Sequence, residues 1–324
     1  MTKYTRQKIV VVILTYNRLK IFKDCLRSVL CQSYPIVKII VINNFSNDGT
    51  AEFLDIVFRD NRIVYFNRNI NDGPAGGFNF GIKEAFKYDP DSLLLVDDEV
   101  ILEKHCLAEL VKYLDHRTLV NSLILDYYNP KSIPFSLFDV KTGRGYANLS
   151  DIENLKTVNS LNPWNATLIP TGVFKEIGLI DENLFMRGEG DDFEHRAILA
   201  GFKFVTVCKS RAFMKKKDVS VRVFGKMGFI SIPPPSTLYY MVRNTIILRK
   251  RYKKLRKQFR KYSSHYNFLY FKLPNIIYYP SYFLFLYIQG LIQPKDKLQY
   301  FKYLSKGILD GFRGKLGKYE MQSL

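Results

Sequence analysis

The chain has 324 residues, 47% of them hydrophobic and 24% charged, which excludes a disordered or fibrous protein and suffices for one large α/β domain with a smaller helical appendage. Its formal net charge of +19 calls for a polyanionic neighbour, whether nucleic acid, anionic lipid or a diphosphate. Four cysteines, Cys25, Cys31, Cys106 and Cys208, lack C-x-x-C spacing, so neither a zinc site nor a disulfide framework is indicated and a reducing compartment is expected.

Met1 to Lys8 is polar and basic, and the apolar run Ile9 to Leu14 is too short for the apolar region of a signal peptide, so secretion is not expected. That run, short, continuous and β-branched, reads as a buried parallel strand ending in the turn Thr15-Tyr16-Asn17-Arg18. Leu19, Phe22, Leu26, Val29 and Leu30 recur at helical spacing, and Pro35 ends the pattern before a second buried strand, Lys38 to Ile42. The polar loop Asn43 to Thr50 leads into another helix, Arg62 to Asn67 supplies a third strand, Gly73 opens a helix to about Tyr88, and Ser92 to Val96 is a strand that ends on Asp97, Asp98 and Glu99. From Ser122 to Leu161 strand-like pieces and turn residues mix without a clear order. Beyond it come strand Ala166 to Ile169, a helix over Val173 to Ile177, an acidic loop, a helix from Phe193 and strand Phe204 to Val207. After about Pro233 the composition turns basic and aromatic, which predicts a boundary between residues 1–232 and 233–324.

Four constellations carry chemistry. Thr15, Asn17, Arg18, Asn43 and Asp48 stand at the ends of adjacent parallel strands, where open α/β sheets bind ligands, and can hydrogen-bond a nucleotide; Asn, Asp and Gly are equally what turns need. Asp97, Asp98 and Glu99, clustered at a strand end, suggest a divalent cation with oxygen ligands, Mg²⁺ or Mn²⁺, clamping a diphosphate, although a solvated acidic loop has the same composition. The glycines of Gly73 to Gly81, Gly76 and Gly77 among them, either let backbone approach a phosphate at a helix start or allow tight helix packing. The run Arg187 to Arg196 offers Glu189, Asp191 and Asp192 as bases that could take a proton from an attacking hydroxyl, or as ordinary acids at a helix start; His195 reads as structural.

In this order and spacing the motifs resemble family 2 glycosyltransferases over roughly Lys8 to Val207. The carriers are Val11 to Arg18, Gln32, the Asn43 to Thr50 loop, the Asp97 to Glu99 triplet, Gly178-Leu179-Ile180-Asp181-Glu182-x-Leu184-Phe185, and the acidic stretch before Arg196-x-x-x-Ala200-Gly201. The resemblance implies a GT-A α/β fold, a Rossmann-like mixed and mostly parallel sheet flanked by helices. It also implies a UDP- or dTDP-sugar donor, Mg²⁺ or Mn²⁺, and single displacement with inversion at the anomeric carbon. Gly73-x-Ala75-Gly76-Gly77-Phe78 with a triple acid is similar to the galactofuranosyltransferase branch, with rhamnosyltransferases of polysaccharide assembly close by. Trp164 falls where that branch has aromatics near the sugar sites, and it suits a core equally well.

The chain departs from the family pattern at four places. Asn43 replaces the aspartate that reads the base, though an amide can both accept and donate. Glu99 replaces the final aspartate of the metal motif. Gly190 stands where the base usually lies, which passes that role to Asp191, Asp192 or Glu189, with Asp191 preferred. Met214 takes the place of a metal-binding histidine, and a thioether is a poor partner for a hard cation.

The basic run Arg249 to Lys261 and the uncharged stretch Leu273 to Ile292, with Pro274 and Pro280, fit an interfacial hairpin on an anionic membrane better than a spanning helix. The tail from Lys306 to Gly317 is similar to tails of such bacterial enzymes. The expectation is a peripheral protein at the cytoplasmic face of the membrane, moving a hexose, galactofuranose first, to a lipid-linked glycan of a cell-surface polysaccharide. A homo-oligomer is compatible with this reading. Its rivals are a rhamnosyltransferase, a catalytically weakened homologue serving as a sugar-binding or scaffolding subunit, and a nucleic-acid-binding protein. The last lacks any motif of a nucleic-acid module, so no nucleic-acid partner is expected.

Overall fold

A computed structural model describes residues 7–57, 59–139, 141–160, 164–215, 220–222, 229–231, 233–253, 274–292 and 296–319. The chain divides into two compact units, Met1–Glu182 with Gly190–Lys216, and Asn183–Glu189 with Lys217–Leu324. The division falls at Lys216 rather than at residue 232, and the segment Asn183–Glu189 belongs to the second unit.

In the first unit the strands are β1 (Ile9–Thr15), β2 (Lys38–Asn43), β3 (Ile63–Asn67), β4 (Ser92–Asp97), β5 (Val100–Leu102), β6 (Thr118–Asp126), β7 (Ser132–Phe138), β8 (Gly145–Asn148), β9 (Thr157–Val158), β10 (Asn165–Pro170) and β11 (Lys203–Met214). The helices are α1 (Leu19–Leu30), α2 (Thr50–Val57), α3 (Gly73–Phe86), α4 (Cys106–Val111), α5 (Thr171–Ile177) and α6 (Glu189–Leu199), whose first residue belongs to the second unit. One sheet runs β3-β2-β1-β4-β10-β6-β11-β5, with β9 beside β11 and a separate β7-β8 hairpin. Strands β3, β2, β1 and β4 are mutually parallel, and β10 runs against both β4 and β6. The fold is therefore a mixed, mostly parallel α/β sheet of the GT-A type.

Both faces of the central strands are covered, which is why β1 carries no polar residue before Thr15. Ile9, Val11 and Ile13 pack with Phe22, Leu26 and Val29 of α1, while Val10, Val12 and Leu14 pack with Phe78 and Ile82 of α3. Each such side chain contributes roughly 1.5–3 kcal/mol by leaving water. Gly77 and Gly81 let α3 lie close on this sheet: a Cβ at Gly77 would stand 2.3 Å from Leu14 Cδ1, and one at Gly81 2.6 Å from Val12 Cγ1.

Several boundaries differ from the sequence reading. The acidic stretch is a helix from Glu189 on, not a loop before Phe193, because carboxylates in a first turn are favoured by the helix dipole. Strand β11 continues past Val207 to Met214 through a register shift between Val207 and Arg211. The unordered stretch resolves into β6 to β9, and β5 and α4 carry too short a pattern to have been foreseen.

The second unit holds the β12 (Ser220–Arg222) and β13 (Phe229–Ser231) hairpin and helices α7 (Pro235–Arg251), α8 (Asn275–Ile292) and α9 (Lys297–Arg313). Leu238, Val242 and Ile246 of α7 pack with Tyr278, Tyr279 and Leu286 of α8 and with Tyr300 and Leu304 of α9. Residues 254–261 of the basic run and Leu273 lie outside the described residues. The expected hairpin over Leu273 to Ile292 is instead one helix, since Pro274 precedes it and Pro280 removes a single backbone donor that the inner-face packing offsets. Among the described residues no helix is long and apolar enough to cross a membrane.

Candidate active site

The sheet register decides which side chains meet. Thr15 lies opposite Asn43 and Leu14 opposite Asp97, so the carboxyl ends of β1, β2 and β4 finish together. Chain order reverses direction at β1, with β2 on one side and β4 on the other, and such a switch point opens a crevice for a ligand.

Asp98, 5% exposed, is the hub of this crevice. Thr15 Oγ1 donates to its Oδ2 at 2.9 Å, the Tyr16 N–H reaches the same oxygen at 3.4 Å, and Arg18 Nη1 donates to Oδ1 at 3.1 Å. Arg18 Nη1 also donates to Glu99 Oε2 at 2.8 Å. Burial pushes the Asp98 carboxyl above the usual range, and Arg18 and Thr15 offset only part of that. Burial alone would lower the Arg18 guanidinium, but the Asp98 and Glu99 carboxylates outweigh it and hold its pKa up. Asp97 is anchored through its backbone, its N–H donating to the Trp164 carbonyl at 2.9 Å.

The three acids do not form one cage: among the described residues no three His, Cys, Asp or Glu side chains gather as a metal-holding group. Both oxygens of Asp98 are engaged by Thr15 and Arg18, so beside its expected part as a metal ligand it organises β1, Oδ1 keeping a further lone pair. Met214 is buried on β11 opposite Val100, next to the Lys215 N–H that donates to Glu99 O at 3.3 Å. Asp97 and Glu99, at the same strand end, are a further hard oxygen pair. It fits a Mg²⁺-like cation that takes one or two carboxylates and completes its shell with water and substrate phosphates.

The polar residues of the nucleotide side mostly brace one another. Asn43, 2% exposed, donates from Nδ2 to Asn67 Oδ1 at 2.9 Å and accepts from the Ser46 N–H at 3.1 Å. Its amide keeps one hydrogen and one lone pair beyond these bonds. Asp48 accepts from the Leu19 N–H at 2.8 Å and from Thr50 Oγ1 at 2.5 Å, joining the loop to the start of α1; these bonds overcome burial and lower its pKa. Asn17, at φ +52°, accepts from the Asn47 N–H at 2.8 Å.

Gly76 and Gly77 are buried within α3, where a Cβ would meet Asp72 or Leu14, so the missing side chains serve helix packing and not the approach of backbone to a phosphate. Trp164 is likewise a core residue, 5% exposed, its ring stacked 5.5 Å from Phe78 and tilted 5.5 Å from Phe193. Its expected place beside the sugar is replaced by a backbone hold on Asp97, in a strained segment where Trp164 has φ +70° and Ala166 φ +59°.

On α6 the three candidate bases separate. Asp192 is fully buried and accepts from Arg196 Nε at 2.9 Å, while that guanidinium also donates to the Ile177 and Leu179 carbonyls at 2.5 and 2.8 Å. It is committed to structure. Glu189 is buried, at 8% exposed. Asp191 reaches solvent, yet surrounding protein pushes its carboxyl up and Asp192 adds to the rise. His195 is buried and held neutral, lowered to about 4.

Glu194, three residues beyond Asp191 on the same helix face, was not singled out from the sequence. Burial, with Asp191 adding to it, raises its carboxyl from 4.5 to about 8. A carboxyl raised on folding contributes stability in full below its unfolded value and loses it as pH climbs through the folded value. Glu194→Gln is therefore expected to raise the melting temperature relative to native protein at pH 9 and to leave it nearly unchanged at pH 4.5, as read by differential scanning fluorimetry across pH. Asn67 and Arg68 were also missed. Asn67 stands opposite Asn43 in the strand register, and Arg68 pairs with Asp72 and lies 4.2 Å over the Phe80 ring. A register drawn through the three parallel strand ends would have found the first.

Residues 10–172 match the glycosyl transferase family 2 domain. An uncharacterized glycosyltransferase of Rickettsia typhi is 30% identical over 203 residues, covering 58% of this chain and 62% of that protein. The glycosyltransferase GlyG of Streptococcus pneumoniae is 24% identical over 223 residues, covering 65% of this chain and 71% of that protein. The chain spans less than two thirds of the length of the Rickettsia relatives it matches. In fold it is similar to a mannosyltransferase of Pyrobaculum calidifontis solved with GDP-Man and Mn²⁺, with a TM-score of 0.54 and 14% identity over 96% of this chain and 88% of that one.

Proposed function

Because the chain belongs to glycosyl transferase family 2, we propose that it moves a hexose from a UDP- or dTDP-sugar to a lipid-linked glycan acceptor, with inversion at the anomeric carbon. Galactofuranose is the first sugar to test and rhamnose the second. The observation that carries this reading is the convergence of Thr15, Arg18, Asp98 and Glu99 at the switch point of the sheet.

Asp97 and Glu99 would hold the divalent cation together with the donor diphosphate. When bound, that cation neutralises charge building on the departing nucleoside diphosphate. Asp98 keeps Thr15 and the Tyr16 backbone in place, and Arg18 is a second cation at the same spot, free to turn from the acids to a phosphate. Asp191, the one of the three candidate bases that reaches solvent, takes the proton of the acceptor hydroxyl as that oxygen attacks the anomeric carbon.

The scaffold reading is favoured by Met214, buried beside the acids where a nitrogen ligand would hold metal. One experiment separates the two. A thermal-shift panel of UDP- and dTDP-sugars, with and without Mn²⁺, should show metal-dependent stabilisation by one donor, followed by transfer or hydrolysis of that donor. Donor binding without either reaction would favour the scaffold, and no stabilisation by any donor would remove the transferase reading.

A further inference from the structure

Helix α8 inverts the ordinary pattern of a surface helix. Its inner side carries Tyr278, Tyr279, Leu286 and Gln289, packed or buried, and Gly290 sits so near α9 that a Cβ there would stand 2.7 Å from Tyr300 and Phe301. Its outer side is the more apolar one. Ile277, Leu284, Ile288 and Leu291 recur every three, four or seven residues, at 49%, 59%, 48% and 50% exposure, with Ile276 at 82% and Tyr287 at 51% beside them. From Pro274 to Ile292 the chain has no charged residue at all. Exposed apolar side chains gathered on one uncharged helix face mark an interaction surface, a membrane contact among them.

The positive charge of the chain is concentrated in the same part of the sequence. Residues 234–324 contain eighteen lysines and arginines against three acids, fifteen of the net +19. Of the three acids, Asp310 is buried and paired with Lys306, so that pair adds no net charge and the cationic excess rests on the other lysines and arginines. An uncharged apolar face in a strongly cationic unit matches the two parts of an anionic bilayer surface, acyl chains for the first and headgroups for the second. With 18 residues and Pro280 inside, α8 falls short of a spanning helix, so the surface is one that lies on the lipid.

We propose that the outer face of α8 is the membrane-docking surface of this protein, seated in the interface of an anionic bilayer. This deepens the lipid-linked acceptor reading by giving the lipid a place on the chain, and it stands independently of donor chemistry.

The test is co-sedimentation of the full chain with phosphatidylcholine vesicles, with and without phosphatidylglycerol, for native protein, the double variant L284E/I288E and I288W. Native protein should pellet with the anionic vesicles, less so at high salt, and the double variant should bind them roughly tenfold more weakly. The substituted side chains are exposed, so far-UV melting of the variants should match native. The I288W emission should shift to the blue on adding anionic vesicles. Equal pelleting of native and L284E/I288E, or I288W emission unmoved by lipid, overturns the proposal. So does a native dimer that L284E/I288E dissolves without any lipid binding, since a second copy would then cover the face. The donor thermal-shift panel, run on the same preparations, should be unchanged in L284E/I288E. Loss of donor response in native protein would count against the transferase alone.

Discussion

Asp98→Ala is expected to abolish donor-dependent stabilisation and to reduce transfer by roughly 10²–10³, the scale of removing one preorganised electrostatic group from a reacting centre. The effect is indirect in its chemistry. Asp98 is the shared acceptor of Thr15, Tyr16 N–H and Arg18, and without it the buried Thr15 hydroxyl loses its partner while the guanidinium is held by Glu99 alone. Leaving a buried donor unsatisfied costs about 1–3 kcal/mol, so the alanine variant should also melt earlier. Asp98→Asn separates the two consequences. It keeps the shape and one acceptor oxygen, so it should melt nearer the native temperature than the alanine variant while transfer still falls, because Arg18 is then balanced by Glu99 alone. Steady-state transfer and melting curves on both variants decide the matter, and an alanine variant that transfers at the native rate would remove the strand-end acids from the reaction.

The second large effect is expected in the second unit, at Asn244. Its Nδ2 lies within hydrogen-bond distance of three backbone carbonyls, Leu184 at 3.0 Å, Met186 at 2.9 Å and Arg187 at 2.6 Å, and its Oδ1 accepts from Arg243 Nε at 2.8 Å. Arg243, fully buried, adds bonds to the Leu184 and Gly317 carbonyls. The segment they hold is strained: Phe185 has φ +64°, Arg187 φ +61° and Gly188 φ +109°. Left-handed backbone at non-glycine residues costs about 1–2 kcal/mol each and persists only where its surroundings over-determine it. Asn244→Ala removes that hold and should destabilise by about 2–4 kcal/mol, the sum of a lost polar anchor and carbonyls left without donors. Hydrogen exchange at residues 184–188 should quicken by roughly 10²-fold, with the β1 amides unchanged. Since this segment runs directly into α6, Asn244→Ala should also lower transfer without moving donor binding. Unchanged exchange at 184–188 would show that the strained turn is self-supporting.

Much of this protein is written in local sequence. The β-branched runs at 9–14 and 38–42 can only be strands buried on both faces, and the spacing of Phe22, Leu26 and Val29 can only be a helix lying on them, because period and burial are dictated by backbone geometry. The order of turn, strand-end acids and acidic stretch was enough to name the family. Tertiary structure decided what the polar residues do, since a carboxylate or an amide has the same letter whether it holds a ligand or a neighbouring backbone. Asp98 and Asp192 look alike beside other acids in the sequence, yet one organises β1 through Thr15 and Arg18 and the other is spent on Arg196. Gly77 is a ligand-binding glycine or a packing glycine only once Leu14 is seen beneath it, and Trp164 a sugar platform or a core ring only once Phe78 and Phe193 enclose it. The outward face of α8 is the converse case. Its apolarity was legible, but which side pointed away from α7 and α9 depended on packing against residues remote in the chain, and no local pattern carries that information.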